Sequence, residues 1–258
     1  MILFTGGGAI ANEFCKYFDC KIISIRNMNN DEIESWISKA HTIIHNSALI
    51  NSTNLHELLS CNFILTKNIV DLCYKINPSI KFINISSMSI LNQYENYNSL
   101  SLMSSYALSK YFAEVYCINH PLINSISVRF STIFYNNQEK DGISKLIFDS
   151  KKGNEILIYN DGSAKRDIIP IRIAVEYLSK LCHTNFEKKI INIVSGSETS
   201  FKDISLILKN NNPLLKIKSE KCTTNDVPST FSINDITKLG RINFNLESEI
   251  VKYFNSIS

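Results

Sequence analysis

The chain opens with the apolar run Ile2 to Thr5, turns at once through Gly6-Gly7-Gly8, and continues from Ala9 to Tyr17 with apolar residues at helical spacing. This order of strand, glycine turn and helix constrains the fold more than any other feature. Gly6-Gly7-Gly8-Ala9-Ile10-Ala11 fits the pattern G-x-G-x-x-G/A, whose glycines let the backbone approach a pyrophosphate. The N–H groups of the helix start then face phosphate oxygens. The pattern alone is weak, since a glycine-rich turn can simply close a strand onto a helix. Its place between a first strand and a first helix selects phosphate binding, with Gly6, Gly8, Ala9 and Ile10 as cofactor contacts.

The same alternation continues along the chain. Lys21 to Ile25 is predicted as a second strand, Asp31 to Ala40 as a helix around Trp36, and Thr42 to His45 as a third strand ending near Asn46-Ser47-Ala48. A long amphipathic helix follows from Leu55 to Ile76, then a fourth strand from Ile80 to Ile85 that runs into Ser86-Ser87. Ser104 to His120 reads as a helix and Ile126 to Phe130 as a fifth strand. Parallel neighbours need a crossover helix, so this rhythm predicts an α/β fold with a doubly wound parallel sheet of Rossmann type. Beyond Phe134 the rhythm loosens, with a helix near Ile143 to Lys151, a strand at Ile156 to Tyr159 and a turn at Asp161-Gly162. Ile190 to Val194 looks like a strand that returns to the main sheet. The expected organisation is therefore a dinucleotide-binding domain of residues 1–135 plus about 164–196, with a small C-terminal substrate-binding lobe of about 136–163 and 197–258.

Composition narrows the class of function. With 44% hydrophobic and 20% charged residues in 258, the chain is a globular one that can bury a large core. Its formal charge of +3 is dispersed, which gives no nucleic-acid footprint. The N-terminus lacks the pattern of a secretion signal and no apolar run reaches membrane-spanning length. The seven cysteines are scattered without a CxxC, the usage of reduced thiols in a cytoplasm, and are read as core filler. His41 and His45 share a strand with no third ligand in reach of the pattern, so no metal site is predicted.

Three positions carry the chemistry. In Ser105-Tyr106-Ala107-Leu108-Ser109-Lys110 the i,i+4 spacing puts a phenol and an ammonium on one helical face. A neighbouring ammonium, joined by an oxidised nicotinamide, favours the phenolate, so Tyr106 is expected to titrate below its ordinary value near 10 and to exchange protons near neutral pH. Tyr17 and Lys21 have the same spacing but straddle a helix end and a strand start. Ser87 ends the fourth strand at the carboxyl edge of the sheet, where open α/β folds bind ligands. A hydroxyl there can hold a substrate oxygen beside Tyr106. The second strand is expected to end at Arg26, where NAD-binding versions carry an acid; a guanidinium suits the 2'-phosphate of NADP.

These features in this order resemble the extended short-chain dehydrogenase/reductases, in the branch of nucleotide-sugar epimerases, dehydratases and ketoreductases. Ile43 to Ala48, Asn62 to Asn68, Phe82 to Ser87, Val128-Arg129 and Tyr159 through Asp167 carry the resemblance across nearly the whole chain. It implies Ser87, Tyr106 and Lys110 as catalytic residues, with Lys110 also on the nicotinamide ribose. Asn46, Ser47, Ala48 and Phe130 would lie beside the cofactor, and Ser89, Thr132 and Arg166 would meet the substrate, Arg166 at the diphosphate. It also implies a homodimer through the helices of residues 55–76 and 104–120. The chain departs from the family in its shorter glycine loop with Ala11 last, in Phe130 for the usual proline, in Thr132 for a common asparagine, and in Met88-Ser89 where 4,6-dehydratases carry Asp-Glu. The last departure argues against a dehydratase. The leading expectation is an NADPH-dependent ketoreductase acting on a nucleotide-linked 4-keto-6-deoxyhexose, as part of deoxysugar biosynthesis. NAD is the other cofactor option. An NAD-dependent nucleotide-sugar 4-epimerase is the alternative, and a non-catalytic dinucleotide-binding regulator is a third.

Overall fold

A computed structural model describes residues 1–91, 104–121, 124–137, 141–185, 187–222 and 230–258. Among these residues the central layer is a six-stranded parallel sheet built from β1 (Ile2–Phe4), β2 (Lys21–Ile22), β3 (Thr42–His45), β4 (Lys81–Ser87), β5 (Ser125–Phe130) and β9 (Ile190–Ile193). Their order across the sheet is β2-β1-β3-β4-β5-β9. Every residue of β1, β3 and β5 is buried, as expected of strands covered on both faces. The chain order reverses between β1 and β3, so the carboxyl ends of these two strands flank the crevice where such sheets bind ligands.

Contacts divide the chain into two units, one of Met1–Phe130 with Val175–Ile193, the other of Ser131–Ala174 with Val194–Ser258. The first unit contains α1 (Ala9–Phe14), α2 (Asn30–Ile37), α3 (Leu55–Leu59), α4 (Leu65–Ile76) and α5 (Ser105–Asn119). Asn29 caps α2 by accepting the Glu32 N–H at 2.9 Å, and Glu32 returns the bond to the Asn29 N–H at 3.0 Å. One face of this unit's core joins Leu3, Ile33, Ile37, Ile43, Val70 and Phe82.

The second unit holds β6 (Thr132–Phe134), α6 (Gly142–Lys151), β7 (Ile156–Tyr159), β8 (Lys165–Pro170), β10 (Glu198–Ser200), α8 (Phe201–Asn211), β11 (Ile217–Glu220), α9 (Asn234–Lys238) and α10 (Leu246–Ser256). Strand β8 pairs in parallel with β6 and antiparallel with β10, while β11 pairs with β7. Helix α7 (Ile171–His183) starts in this unit and ends in the first. Phe134, Ile147, Ile156, Ile168, Ile204 and Phe254 form its core.

Several boundaries differ from expectation for identifiable reasons. Residues 164–174, expected in the dinucleotide-binding domain, lie in the second unit because β8 finds its partners there. The second strand stops at Ile22, and a short 3-10 turn at Ile25–Asn27 turns the chain, so Arg26 sits on an exposed turn rather than a strand end. The long helix of residues 55–76 is interrupted by a wider π-type turn at Ser60–Ile64. The view of all seven cysteines as reduced thiols is also corrected: Cys15 and Cys20 form a disulfide, with Cα atoms 5.7 Å apart. Cys73, Cys117 and Cys182 are free and buried, whereas Cys61 is half-buried and Cys222 exposed.

Candidate active site

At the crevice between β1 and β3 the glycine turn is used first by the protein itself. A Cβ on Gly6 would stand 2.8 Å from the Ser47 nitrogen and 2.9 Å from its Cα, so only glycine lets the turn close against the segment after β3. A Cβ on Gly8 would meet the Asn46 side chain at 3.0 Å, whereas at Gly7 the nearest atom is Ile22 Cγ2 at 3.6 Å. Gly7 and Gly8 are exposed, and Gly8 caps α1. The amides of the first turn, at Ala9 and Ile10 among others, lack intrahelical acceptors. Gly6, Gly8, Asn46 and Ser47 are thus brought together, with Ala48 continuing the same segment.

Beneath this turn lies a hydrogen-bond chain that sequence reasoning missed. His45 is 1% exposed and shares hydrogen bonds with Thr5 Oγ1 at 2.7 Å and Thr66 Oγ1 at 2.9 Å. Thr66 spends its own hydroxyl proton on the Asn62 carbonyl at 2.7 Å. His45 Nε2 must therefore be the donor to Thr66, which leaves Nδ1 to accept from Thr5. Burial lowers the His45 pKa to about 3, so the ring is neutral, and the Lys110 charge adds to the effect. Asn62, wholly buried on the π-type turn, accepts the Leu49 N–H at 2.6 Å and donates to Leu49 O and Ser109 Oγ, each at 2.9 Å. Ser109 passes its proton to the Tyr106 carbonyl at 2.7 Å. An asparagine among the apolar positions of a helical run was the available signal.

Ser87, Tyr106 and Lys110 gather at the carboxyl end of β4. Helix α5 starts on Ser104, whose Oγ accepts the Ala107 N–H at 3.1 Å, and this places Tyr106 in its first turn. Tyr106 is partly buried; desolvation pushes its phenol up to about 12, and a hydrogen bond to Ser87 works in the opposite direction. The expected lowering of Tyr106 by Lys110 is not found in the chain by itself. The Lys110 ammonium donates instead to the Ile85 carbonyl. Lys110 is 4% exposed, and burial lowers its pKa to about 8 while Cys117 and Glu114 counteract this, so it remains mostly charged at pH 7. Ser87 and Ser89 share a hydroxyl hydrogen bond of 2.8 Å, and Ser87 lies opposite Phe130 in the β4–β5 register. Met88, beside them, is buried.

The other sites of interest separate cleanly. Tyr17 is 57% exposed and Lys21 lies over the Trp36 ring at 5.3 Å, so the second phenol–lysine spacing forms no site. Thr132 and Arg166 belong to the second unit, on the adjacent strands β6 and β8, where the Arg166 guanidinium donates to the Lys165 carbonyl at 2.7 Å. Asp167 is buried next to it and accepts the Ser195 and Gly196 N–H groups, both at 2.8 Å. Among the described residues no group of three or more His, Cys, Asp or Glu is placed to hold a metal, and no helix is long and apolar enough to cross a membrane.

A parallel α/β sheet with a glycine turn at its switch point, and a serine, tyrosine and lysine at the end of its fourth strand, defines the extended short-chain dehydrogenase/reductase class. The chain belongs to the NAD dependent epimerase/dehydratase family, whose model matches residues 9–194. A curated relative from Methanocaldococcus jannaschii, named "Putative UDP-glucose 4-epimerase", is 27% identical over 202 residues, or 72% of this chain and 65% of that protein. The UDP-N-acetyl-alpha-D-glucosaminuronate decarboxylase of Bacillus cytotoxicus is 25% identical over 203 residues, or 71% of this chain and 63% of the relative. The matches thus span less than two thirds of these relatives. MoeE5, solved in complex with UDP-glucose and NAD, shares the fold with a TM-score of 0.82 at 19% identity, over 98% of this chain and 97% of that one.

Proposed function

We propose that this protein is an NAD(P)-dependent nucleotide-sugar epimerase that oxidises a sugar hydroxyl and reduces the resulting ketone from the opposite face. This reverses the ranking reached from sequence, where the ketoreductase came first. The observation that carries the reading is the grouping of Ser87, Tyr106 and Lys110, followed by Met88-Ser89 with no carboxylate to drive an elimination. The name of the Methanocaldococcus jannaschii relative supports the epimerase over the reductase. The residues present fit a dinucleotide: Gly7 and Gly8 expose backbone at the switch point, and Asn46 and Ser47 close the turn from the other side.

A bound nicotinamide supplies hydride acceptance and return. Ser87 Oγ orients the substrate oxygen, and Tyr106 removes and later restores its proton. The phenol, held near 12 in the unliganded chain, is a proton donor at pH 7 and needs added positive charge nearby before it can accept. Lys110, one turn away on α5 and mostly charged at pH 7, is the candidate contact of the nicotinamide ribose, and a bound oxidised nicotinamide would supply that charge. In this reading the second unit is the substrate-binding lobe, with Arg166 and Thr132 as sugar-nucleotide contacts. The chain acts as a dimer through the helices of residues 55–76 and 104–120, where Ile64, Tyr74 and Phe112 are 45%, 45% and 37% exposed and Phe63 makes ring contacts with Phe112 and Tyr116.

Arg26, exposed after β2, favours a second reading, the NADPH-dependent reductase of a nucleotide-linked keto sugar. One assay separates them. Purified protein is incubated with a panel of UDP- and dTDP-sugars while epimers are followed by NMR and cofactor by absorbance. The epimerase gives interconversion without net cofactor change, whereas stoichiometric NADPH consumption with a keto sugar defeats it. Cofactor binding with neither reaction defeats both in favour of a regulator.

A further inference from the structure

Helix α5 carries, one turn beyond Lys110, a carboxylate that the reaction above does not use. Glu114 and Arg129 are 1% and 2% exposed. Arg129 Nε stands 3.1 and 2.9 Å from the two carboxylate oxygens, and Nη2 makes a further close contact with Oε1. Ser86 Oγ donates to Glu114 Oε2 at 2.8 Å. In the strand register Ser86 lies opposite Arg129, one position before Ser87 and Phe130. A single side chain of α5 therefore grips β4 and β5 immediately beside the serine that faces Tyr106.

A buried ion pair is a weak stabiliser, because desolvating two charges offsets most of their attraction, and apolar replacements often hold a fold equally well. What a forked guanidinium–carboxylate contact supplies is direction. Helix α5 needs it. Its buried residues are Ala107, Ser109, Lys110, Ala113, Glu114 and Cys117, with no large aliphatic side chain to interlock with the sheet. Further along the helix Tyr116, partly buried, packs against the core of the first unit. Nearer Tyr106 the buried contacts of the helix are polar ties: Lys110 on the Ile85 carbonyl, Ser109 on Asn62, and Glu114 on Ser86 and Arg129.

We propose that Glu114 and Arg129 are positioning residues, which fix the axial setting of α5 against β4 and β5 and thereby hold the Tyr106 phenol against the Ser87 hydroxyl. The proposal rests on the reading that these two groups share a substrate oxygen. A misplacement of about 1 Å at reacting groups can lower turnover by about 100-fold. The test is the double variant Glu114→Gln/Arg129→Met, which removes both charges at similar volume. Glu114→Gln alone would strand a buried cation and is expected to unfold the protein.

The expected result is a cooperatively folded double variant whose NAD Kd and substrate KM stay within about threefold of wild type while kcat falls at least about tenfold. Arg129→Lys, which keeps the charge but loses the fork, is expected to give an intermediate kcat. An unchanged kcat in the folded double variant overturns the proposal. Should that variant not fold, Ser86→Ala decides in its place: lower kcat at unchanged KM supports the proposal, and wild-type kcat overturns it. If wild type turns over no nucleotide sugar, the functional reading is what fails. Positioning is then read from crystal structures of the double variant, or of Ser86→Ala if the former does not fold; α5 unmoved, with Tyr106 still bonded to Ser87, overturns it.

Discussion

Tyr106 and His45 show how one neighbourhood sets two opposite protonation states. Desolvation keeps the Tyr106 phenol protonated, with a pKa pushed up to about 12, and the same burial keeps the His45 imidazole neutral, with a pKa near 3. Tyr106→Phe keeps the ring and removes only the transferable proton, so kcat is expected to fall by about 100-fold to 10,000-fold while NAD still binds. Wild-type turnover in that variant would exclude the phenol from proton transfer. For His45 the consequence is a dependence of stability on pH. Its folded pKa is depressed below the unfolded value near 6.5, so the unfolded chain binds the extra proton first as pH falls. The stabilisation is complete above about pH 6.5 and is lost at about 1.4 kcal/mol per pH unit down towards pH 3. Between pH 7 and pH 5 this group alone costs about 2 kcal/mol in denaturant unfolding. His45→Gln should flatten that slope, and an unaltered slope would assign the loss to other groups.

At the scale of elements, the glycine turn and helix α5 depend on small residues for different reasons. In the turn, Gly6 admits the Ser47 backbone, Gly8 touches only the movable Asn46 side chain, and Gly7 meets nothing closer than 3.6 Å. Gly6→Ala must push backbone apart and is expected to cost about 1–3 kcal/mol in thermal or denaturant unfolding, with weaker NAD binding. Gly7→Ala should be nearly neutral for stability, and equal losses at both positions would show that the close approach is not what Gly6 provides. In α5 the fully buried residues are small or polar, and polar ties give the direction that interlocking side chains would otherwise supply. The sequence displayed α5 and its Tyr106–Lys110 face plainly, because i,i+4 spacing is a local property. It did not display the π-type turn at Ser60–Ile64, whose wider winding is held by Asn62 contacts with residues 13 and 47 positions away.

For the whole molecule, the two units divide the candidate residues between them. Ser87, Tyr106, Lys110 and the glycine turn belong to the unit with the parallel sheet, while Thr132 and Arg166 belong to the other. The proposed dimer is the property tested at this scale. Phe112 is 37% exposed on α5 and contacts the rings of Phe63 and Tyr111. A charge placed there would be desolvated by a partner helix, so Phe112→Glu is expected to sediment as a monomer where wild type sediments as a dimer. A monomeric wild type would overturn the dimer.

By itself the sequence determined the alternation of strands and helices, the place of the glycine turn, and the succession of Ser87, Tyr106 and Lys110, since periodicity and spacing report which side of an element is buried and what that side carries. Only the tertiary structure decided that Gly6 serves Ser47, that Thr5 and Thr66 hold His45, that β8 pairs within the second unit, and that Glu114 meets Arg129 and Ser86. The physical reason is distance along the chain. Thr5 and His45 are 40 residues apart and Ser86 and Glu114 are 28 apart, and a pattern confined to one element cannot name the partner that another brings to it. The Tyr106 phenol makes the same point, because its spacing to Lys110 reports a cation on the same helical face but not the burial that raises its pKa in the folded chain.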